Sequence, residues 1–483
     1  MTRKEFSEKC SIIYFILGGL VKKMGRSLGS IGEKYLNLRA DTPCCVGACQ
    51  RVKKMKRSDF ELMAPVGSRE SLAAALKAGA DAIYFGVQGL NMRSKSSANF
   101  TLGDLREIAS TCAEKGVKTY LTVNTVLYDE DLPLMRRIID AARESGITAI
   151  ISADMAAILY ARSVGVEVHI STQVNVTNIE AVEFYSQWAD VMVLARELSL
   201  EQVAYISSEI RRRGIKGPGG ELVKIEMFCH GALCMAVSGK CYLSLHQMHS
   251  SANRGACTQI CRRSYRLTDQ ETGQEIVVDD KYLLSPKDLK TLAFLDQMVQ
   301  AGVSVFKIEG RARGPEYVTE VVKAYDSALR MIAEGNFSAQ ALEPLEERLK
   351  MVFNRGFWDG YYLDRGPGEW SRKYGSSATR VKVYAAKAIR YFSKLGVAEF
   401  KLEAGELNLG DEILIIGPTT GSLNLTLSEM RVDLKPVERV EKGQHFSIAV
   451  PEKIRPSDRL YLWRETGVGK TGQPCADCTP NNP

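Results

Sequence analysis

"FELMAPVGSRESLAAALKAGADAIYFGV", residues 60 to 87, reads as one β-strand, one helix and the start of the next strand. The apolar run at 60–67 is short enough for a buried strand. Ser68 then opens an alanine-rich helical stretch over 68–80 as its N-cap, and "DAIYFGV" (81–87) resumes a strand at once. The same rhythm continues along the chain. Strands are expected at 117–124, 148–152, 166–173, 190–197, 223–231 and 303–310. Helices alternate with them at 102–116, 131–146, 154–165, 178–189, 199–214, 290–302 and 315–335, regularly ending in Gly.

Eight such units imply a parallel sheet, and their lengths fit a closed (β/α)8 TIM-like barrel in the α/β class. A doubly wound open sheet is the competing architecture, but no G-x-G-x-x-G follows the first strand. In a barrel, chemistry belongs at the C-terminal strand ends. Here these carry Pro65, Tyr84, Asn124, Ser152, Gln173, Glu197, His230 and Glu309. That mixed polar ring suits a pocket better than a packed plug.

The barrel is expected over residues 59–340, with a Cys-rich insertion at 232–288 leaving strand seven on the pocket face. A Gly- and aromatic-rich connector (341–378) leads to a strand-dominated segment, 379–464, with the turn chemistry of a small antiparallel β-barrel. A Gly/Pro/Asn-rich tail, 465–483, follows. Residues 1–58 read as a basic, poorly ordered leader, with Met55 as a candidate initiator. The apolar run at 11–21 is too short to span a bilayer. Net charge is +7, yet residues 1–60 hold 13 Lys/Arg against 5 Asp/Glu, which leaves the remainder near −1. The body is therefore no globally basic nucleic-acid binder, and any RNA site must be a local patch. A cytoplasmic, non-membrane protein is expected, in which thiols stay reduced.

Five of the twelve cysteines fall in "FCHGALCMAVSGKC" (228–241) and "CTQIC" (257–261). Cys234, Cys241, Cys257 and Cys261 have the spacing C-x6-C-x15-C-x3-C, which serves zinc or a cubane iron–sulfur cluster alike. Cys229 reads as a buried strand residue. It makes a poor catalytic dyad with His230, because adjacent strand residues face opposite ways.

"EMFCHGALCMAVSGKCYLS" (226–244) with "NRGACTQICR" (253–262) resembles the signature of the peptidase U32 family, the collagenase-like proteases. "HISTQVNVTN", "LLSPKDL" and "FKIEGRARGPEYV" support the resemblance, which covers roughly residues 60 to 463. Within that family the chain is most similar to the tRNA hydroxylation branch, which helps install 5-hydroxyuridine at the tRNA wobble position. The resemblance implies a 4Fe-4S cluster on Cys234, Cys241, Cys257 and Cys261, with zinc as the alternative. It also implies tRNA as partner and a prephenate-derived small molecule as co-substrate. Two further readings are a collagenase-like peptidase and a zinc-stabilised RNA-binding module. The cysteines near the ends, Cys44, Cys45, Cys49, Cys475 and Cys478, depart from the family pattern.

Gln173, Glu197, His230 and Glu309 are the candidate catalytic residues, as acid/base or polar groups at strand ends. The two glutamates could instead form ion pairs with Arg196 and Arg311. His169, Ser171, Gln173 and Asn175 alternate along strand five and its exit, a polar stripe for a small-molecule pocket. Asn124, His169 and Arg311 are candidate substrate contacts, and Arg311 with Arg313 follows strand eight, where barrels often bind phosphate. In "CRRSYR" (261–266), Arg262 and Tyr265 are candidate RNA contacts, with Tyr265 placed to stack on a base.

Overall fold

Ser68 does cap the first helix: its Oγ accepts from the Ser71 N–H at 3.2 Å, at the start of α1 (Arg69–Ala78). Gly79 ends that helix at φ 90°, a left-handed conformation that suits glycine. The computed structural model describes residues 55–95, 98–276, 284–364 and 368–467. The leader through residue 54, the tail from 468, and Cys44, Cys45, Cys49, Cys475 and Cys478 lie outside the described residues.

Seven strands follow in order: β1 (Glu61–Pro65), β2 (Ala82–Phe85), β3 (Lys118–Val123), β4 (Ala149–Ser152), β5 (Glu167–Ile170), β6 (Val191–Val193) and β7 (Lys224–Ala232). The helices between them are α2 (Leu105–Ala113), α3 (Leu132–Ser145), α4 (Met155–Ser163), α5 (Ile179–Tyr185) and α6 (Leu200–Arg213). The insertion carries α7 (Leu243–Met248) and a short hairpin, β8 (Leu267–Thr268) with β9 (Glu275–Ile276). After it come β10 (Asp288–Lys290), α8 (Leu295–Gln300), β11 (Val303–Ile308), α9 (Pro315–Glu334) and α10 (Ala339–Met351). Helix α10 runs across residue 340, where the connector is expected to begin.

Strands β1 to β7 and β11 pair parallel in sequence order, and β11 closes on both β1 and β7. This is the closed eight-stranded barrel. One set of alternating residues packs outward against the helices. The other, including Met63, Ala82, Tyr120, Ile151 and Val305, fills the interior.

The segment expected to start a helix at 290 differs. Lys290 pairs with His230 across β10 and β7, and Thr291 donates to the Cys229 carbonyl from its N–H (3.1 Å) and Oγ1 (3.0 Å). The upper half of β7 thus recruits β10, and β12 (Phe357–Trp358) adds to that edge. Helix begins only at Leu295.

The C-terminal region is all β: β13 (Arg380–Phe392), β14 (Val397–Leu402), β15 (Glu406–Asn408), β16 (Glu412–Gly417), β17 (Gly421–Thr426), β18 (Met430–Val432), β19 (Lys435–Val437), β20 (Arg439–Glu441), β21 (His445–Ala449) and β22 (Arg459–Glu465). Eight of these form an antiparallel sheet in the order β17-β16-β22-β13-β14-β21-β18-β19, wrapped around one core in which Phe400 stacks on Phe446. This domain docks on the outside of the barrel. A Cβ at Gly421 would lie 2.7 Å from the Ala74 backbone nitrogen in α1, so only glycine admits that approach. Lys77 donates to the Thr420 carbonyl at 2.9 Å, and Lys382 pairs with Glu316 at 2.9 Å. Among the described residues, no helix is long and apolar enough to cross a membrane.

Candidate functional site

The strand ends and the insertion folded over them enclose a cavity of about 610 Å³. Tyr84, Thr122, Asn124, Ile151, Ser171 and Lys307 come from the strands and their exits. Cys234 to Ser244 and Asn253 to Arg262 contribute the mouth.

Glu309 is the one acid among the described lining residues, against Arg93, Arg196, Lys240, Arg262, Lys307, Arg311, Arg313 and Arg355. Its carboxylate takes a hydrogen bond from Arg93 at 2.9 Å and from the Tyr84 hydroxyl at 3.0 Å. Burial opposes its charge, but the Arg93 guanidinium outweighs that, with help from Arg311 and Arg196, and holds the carboxyl at about 2. Arg311 spends Nη1 on Asn91 Oδ1 (3.0 Å) and Thr122 Oγ1 (2.9 Å), and burial lowers its pKa to about 10. Lys307 reaches down to the fully buried Glu226 at 2.7 Å, with its ammonium 4.6 Å from the Tyr84 ring centre. Arg196 lies over Phe228 at 4.8 Å and holds the insertion by donating to Ser238 Oγ at 2.8 Å and the Ala232 carbonyl at 3.3 Å. Arg313 stacks on Phe353 at 3.6 Å.

The structure brings Asn124, Gln173, Glu309, Arg311, Arg262 and the four insertion cysteines to one pocket wall. Asn124 Nδ2 meets Gln173 Oε1 at 3.3 Å and Ser171 Oγ at 3.4 Å, so this part of the polar stripe is real. Arg262 lines the wall but spends its donors internally, on Ser285 Oγ (2.9 Å) and the carbonyls of Pro286 (2.7 Å) and Leu233 (2.5 Å). It fastens the insertion to the chain returning toward β10.

Four expectations need correction. His169 lies below the pocket, tilted against the Tyr120 ring at 4.4 Å with Nε2 3.2 Å from Glu167, because β5 places it deep inside the barrel. Asn175 turns away at φ 60° after a 3-10 turn at Thr172–Val174, and its Nδ2 donates to the Ser238 carbonyl at 3.0 Å. Glu197 is exposed, because β6 ends at Val193 and the chain turns before alternation reaches it, so its neighbour Arg196 faces inward. His230 points out of the barrel into a nest of Tyr317, Tyr325 and Phe357. Burial, together with Lys290 and Arg313, lowers its pKa to about 3, so the ring is neutral and Nδ1 meets the Tyr325 hydroxyl at 3.3 Å. Tyr265 is exposed outside the pocket wall, with its hydroxyl donating to the Ile260 carbonyl at 2.5 Å, a position that leaves its expected role as an RNA contact untouched.

Cys234, Cys241, Cys257 and Cys261 all line the mouth. Asn253 Oδ1 accepts from the Cys241 N–H at 3.2 Å, and Ser244 Oγ accepts from the Thr258 N–H at 3.2 Å, which pins the two cysteine loops together. Burial raises the Cys261 thiol pKa; Arg262 lowers it, and the other three thiols raise it further, as expected for mutual proximity. The donor set suits a thiolate-ligated centre in number and chemistry. Among the described residues, however, no three ligating side chains are gathered closely enough to hold a metal ion. Cys229 stands apart, buried with its thiol donating to the Lys307 carbonyl at 3.4 Å.

Residues 67–372 match the model of peptidase family U32. The chain belongs to this family. It is 59% identical over 407 residues to a collagenase of Porphyromonas gingivalis, covering 84% of this chain and 98% of that one. It is 30% identical over 379 residues to tRNA hydroxylation protein P1 of Bacillus subtilis, covering 76% and 86%. It is 37% identical over 317 residues to the 23S rRNA 5-hydroxycytidine C2501 synthase of Escherichia coli, covering 64% of this chain and 46% of that protein.

Proposed function

We propose that the protein is a cytoplasmic RNA-modifying enzyme that supports hydroxylation of tRNA wobble uridine to 5-hydroxyuridine. In this reading Cys234, Cys241, Cys257 and Cys261 hold a 4Fe-4S cluster at the pocket mouth, with a prephenate-derived carboxylate below. The observation that carries it is the excess of arginine and lysine over acid in the pocket lining, with four cysteines at its mouth. Relatives named for tRNA and rRNA hydroxylation support the RNA substrate.

Within the pocket, Arg196 and Arg311 attract and orient carboxylate groups, and Asn124 with Gln173 hydrogen-bonds the polar remainder. Glu309, held ionised by Arg93, accepts hydrogen bonds at neutral pH. Tyr84 and Phe228 exclude water and sharpen these electrostatics. A bound cluster supplies one-electron transfer. The test is mass spectrometry of tRNA nucleosides from cells carrying Cys257→Ala or Arg311→Gln in place of the parent protein. Loss of 5-hydroxyuridine is expected in both, and intact modification would reject the reading. Metal and sulfide analysis of the purified protein separates a cluster from zinc.

A second reading, proteolysis, is favoured by the 59% identity to a protein named collagenase. Gelatin cleavage by purified protein, retained in Glu309→Gln and lost on a chelator, would support it.

A further inference from the structure

The C-terminal sheet places four basic residues in one row. Lys387 of β13 lies opposite Arg459 of β22 on one side and Lys401 of β14 on the other, and Lys401 lies opposite His445 of β21. Directly opposed residues share a face of an antiparallel sheet. Their strand neighbours Ala386, Ala388, Phe400, Leu402, Phe446 and Leu460 are buried, so this face is the outer one, and all four basic side chains are exposed. The next row runs Arg390, Glu399, Ser447, Arg431, with the arginines at its two ends and Arg431 paired with Glu429.

Like charges directly opposite destabilise a sheet. Acids do little here to relieve them. Glu399 pairs with His445 at 3.0 Å, and among the described residues no carboxylate forms an ion pair with Lys387 or Lys401. Aromatics flank the row. Tyr384 meets Tyr461 edge-on at 5.7 Å, and Phe392 lies under Arg390 at 5.6 Å.

We propose that this face binds the phosphate backbone of the substrate RNA, with Lys387 and Lys401 as its centre. The inference rests on the RNA reading of the pocket and extends it to a surface remote from the cysteines. Three interstrand gaps of about 4.8 Å span about 14 Å, which matches about four nucleotide steps of about 3.4 Å along a stacked strand. An ordered row of basic side chains with aromatics beside it is what a single-stranded nucleic acid engages by charge and stacking. An acidic peptide would use the charges but has no need of the rings.

The experiment is fluorescence-anisotropy binding of a tRNA transcript and of an oligouridine to the full chain, parent and Lys387→Gln/Lys401→Gln, over a salt series. Anionic vesicles serve as a third probe. Two lost phosphate contacts should weaken binding and flatten the slope of log K against log salt by about 1.4, at about 0.7 per single-strand contact. The melting temperature should be unchanged or raised, since repulsion is removed. An unchanged slope, a parent that binds neither RNA, or a loss confined to vesicles overturns the inference. If the double variant loses RNA affinity while the parent hydroxylates no nucleoside, the surface stands and the hydroxylation reading falls. If modification persists with an unchanged slope, the reverse holds.

Discussion

Removing the Arg93 guanidinium should expose how strongly the pocket depends on a single compensated carboxylate. Glu309 is only 15% exposed and bonds Arg93 at 2.9 Å. Holding its carboxyl at about 2 rather than the ordinary 4.5 contributes roughly 3 kcal/mol at neutral pH, at about 1.36 kcal/mol per pH unit. In Arg93→Leu that contribution disappears, and a buried charge is left with weaker partners, so a loss of about 3 kcal/mol is expected. The sign follows from the lowered pKa. The stabilisation is complete above pH 4.5 and drains away as pH falls from 4.5 toward 2. Urea denaturation of parent and variant should therefore show a gap that is constant between pH 7 and 5 and narrows below 4.5. Adding Glu309→Gln to Arg93→Leu should restore much of the loss, because the uncompensated charge is gone. An Arg93→Leu protein as stable as its parent would refute the reasoning. So would a double variant no better than the single one.

Glu226→Gln leaves Lys307 without its anion in the barrel interior and should cost about 3–5 kcal/mol, read as a lowered urea midpoint; a change below 1 kcal/mol would contradict the pairing. Gly421→Val drives a side chain into the α1 backbone and should loosen the C-terminal domain, seen as new protease cleavage between residues 352 and 380 with the barrel intact. His230 sits neutral, with its pKa lowered to about 3 from 6.5. The unfolded chain therefore takes up a proton below pH 6.5 that the folded one refuses, and stability falls as pH drops from 6.5 toward 3. His230→Phe should flatten that slope, as measured by denaturation at pH 7, 6 and 5.

The barrel was legible because buried parallel strands and amphipathic helices alternate with short glycine-ended connections, a pattern that local sequence carries. The pocket face was legible only in part. Side-chain parity predicts orientation while a strand lasts, and it failed where strands ended or shifted. Glu197 and Arg196 exchanged roles because β6 stops at Val193. His230 turned outward beyond the register shift where β7 pairs Phe228 and His230 with Lys307 and Ile308. Lys307 could have been found, since a lysine inside the apolar run "VSVFKIEG" demands a buried partner. Arg93 carries no such signal. It reaches Glu309 from the loop between β2 and α2, across a separation of 216 residues that no local pattern encodes.

The way this molecule supports its arginines and lysines separates structural from functional charge. On the barrel periphery they are neutralised by acids: Arg57 by Asp81 and Asp326, Arg69 by Asp104 and Glu107, Arg213 by Glu180, Glu183 and Glu209. In the pocket, Arg196 rests on Phe228, while Arg311 rests on the neutral oxygens of Asn91 and Thr122. Rings and amide oxygens stabilise a cation without cancelling its field, so that field stays available to an anion. The Lys387–Lys401 row leaves its charge uncancelled too, but in open solvent. Salt should tell the two apart. Exposed charges are screened within about 8 Å at physiological ionic strength, whereas buried ones are screened much less. Raising salt from about 50 to 200 mM should therefore weaken RNA binding on the sheet face steeply, while affinity for a small dicarboxylate in the pocket changes little. Equal salt sensitivity of the two would mean that the pocket cations are as solvated as the surface row, and that their placement on rings carries no functional meaning.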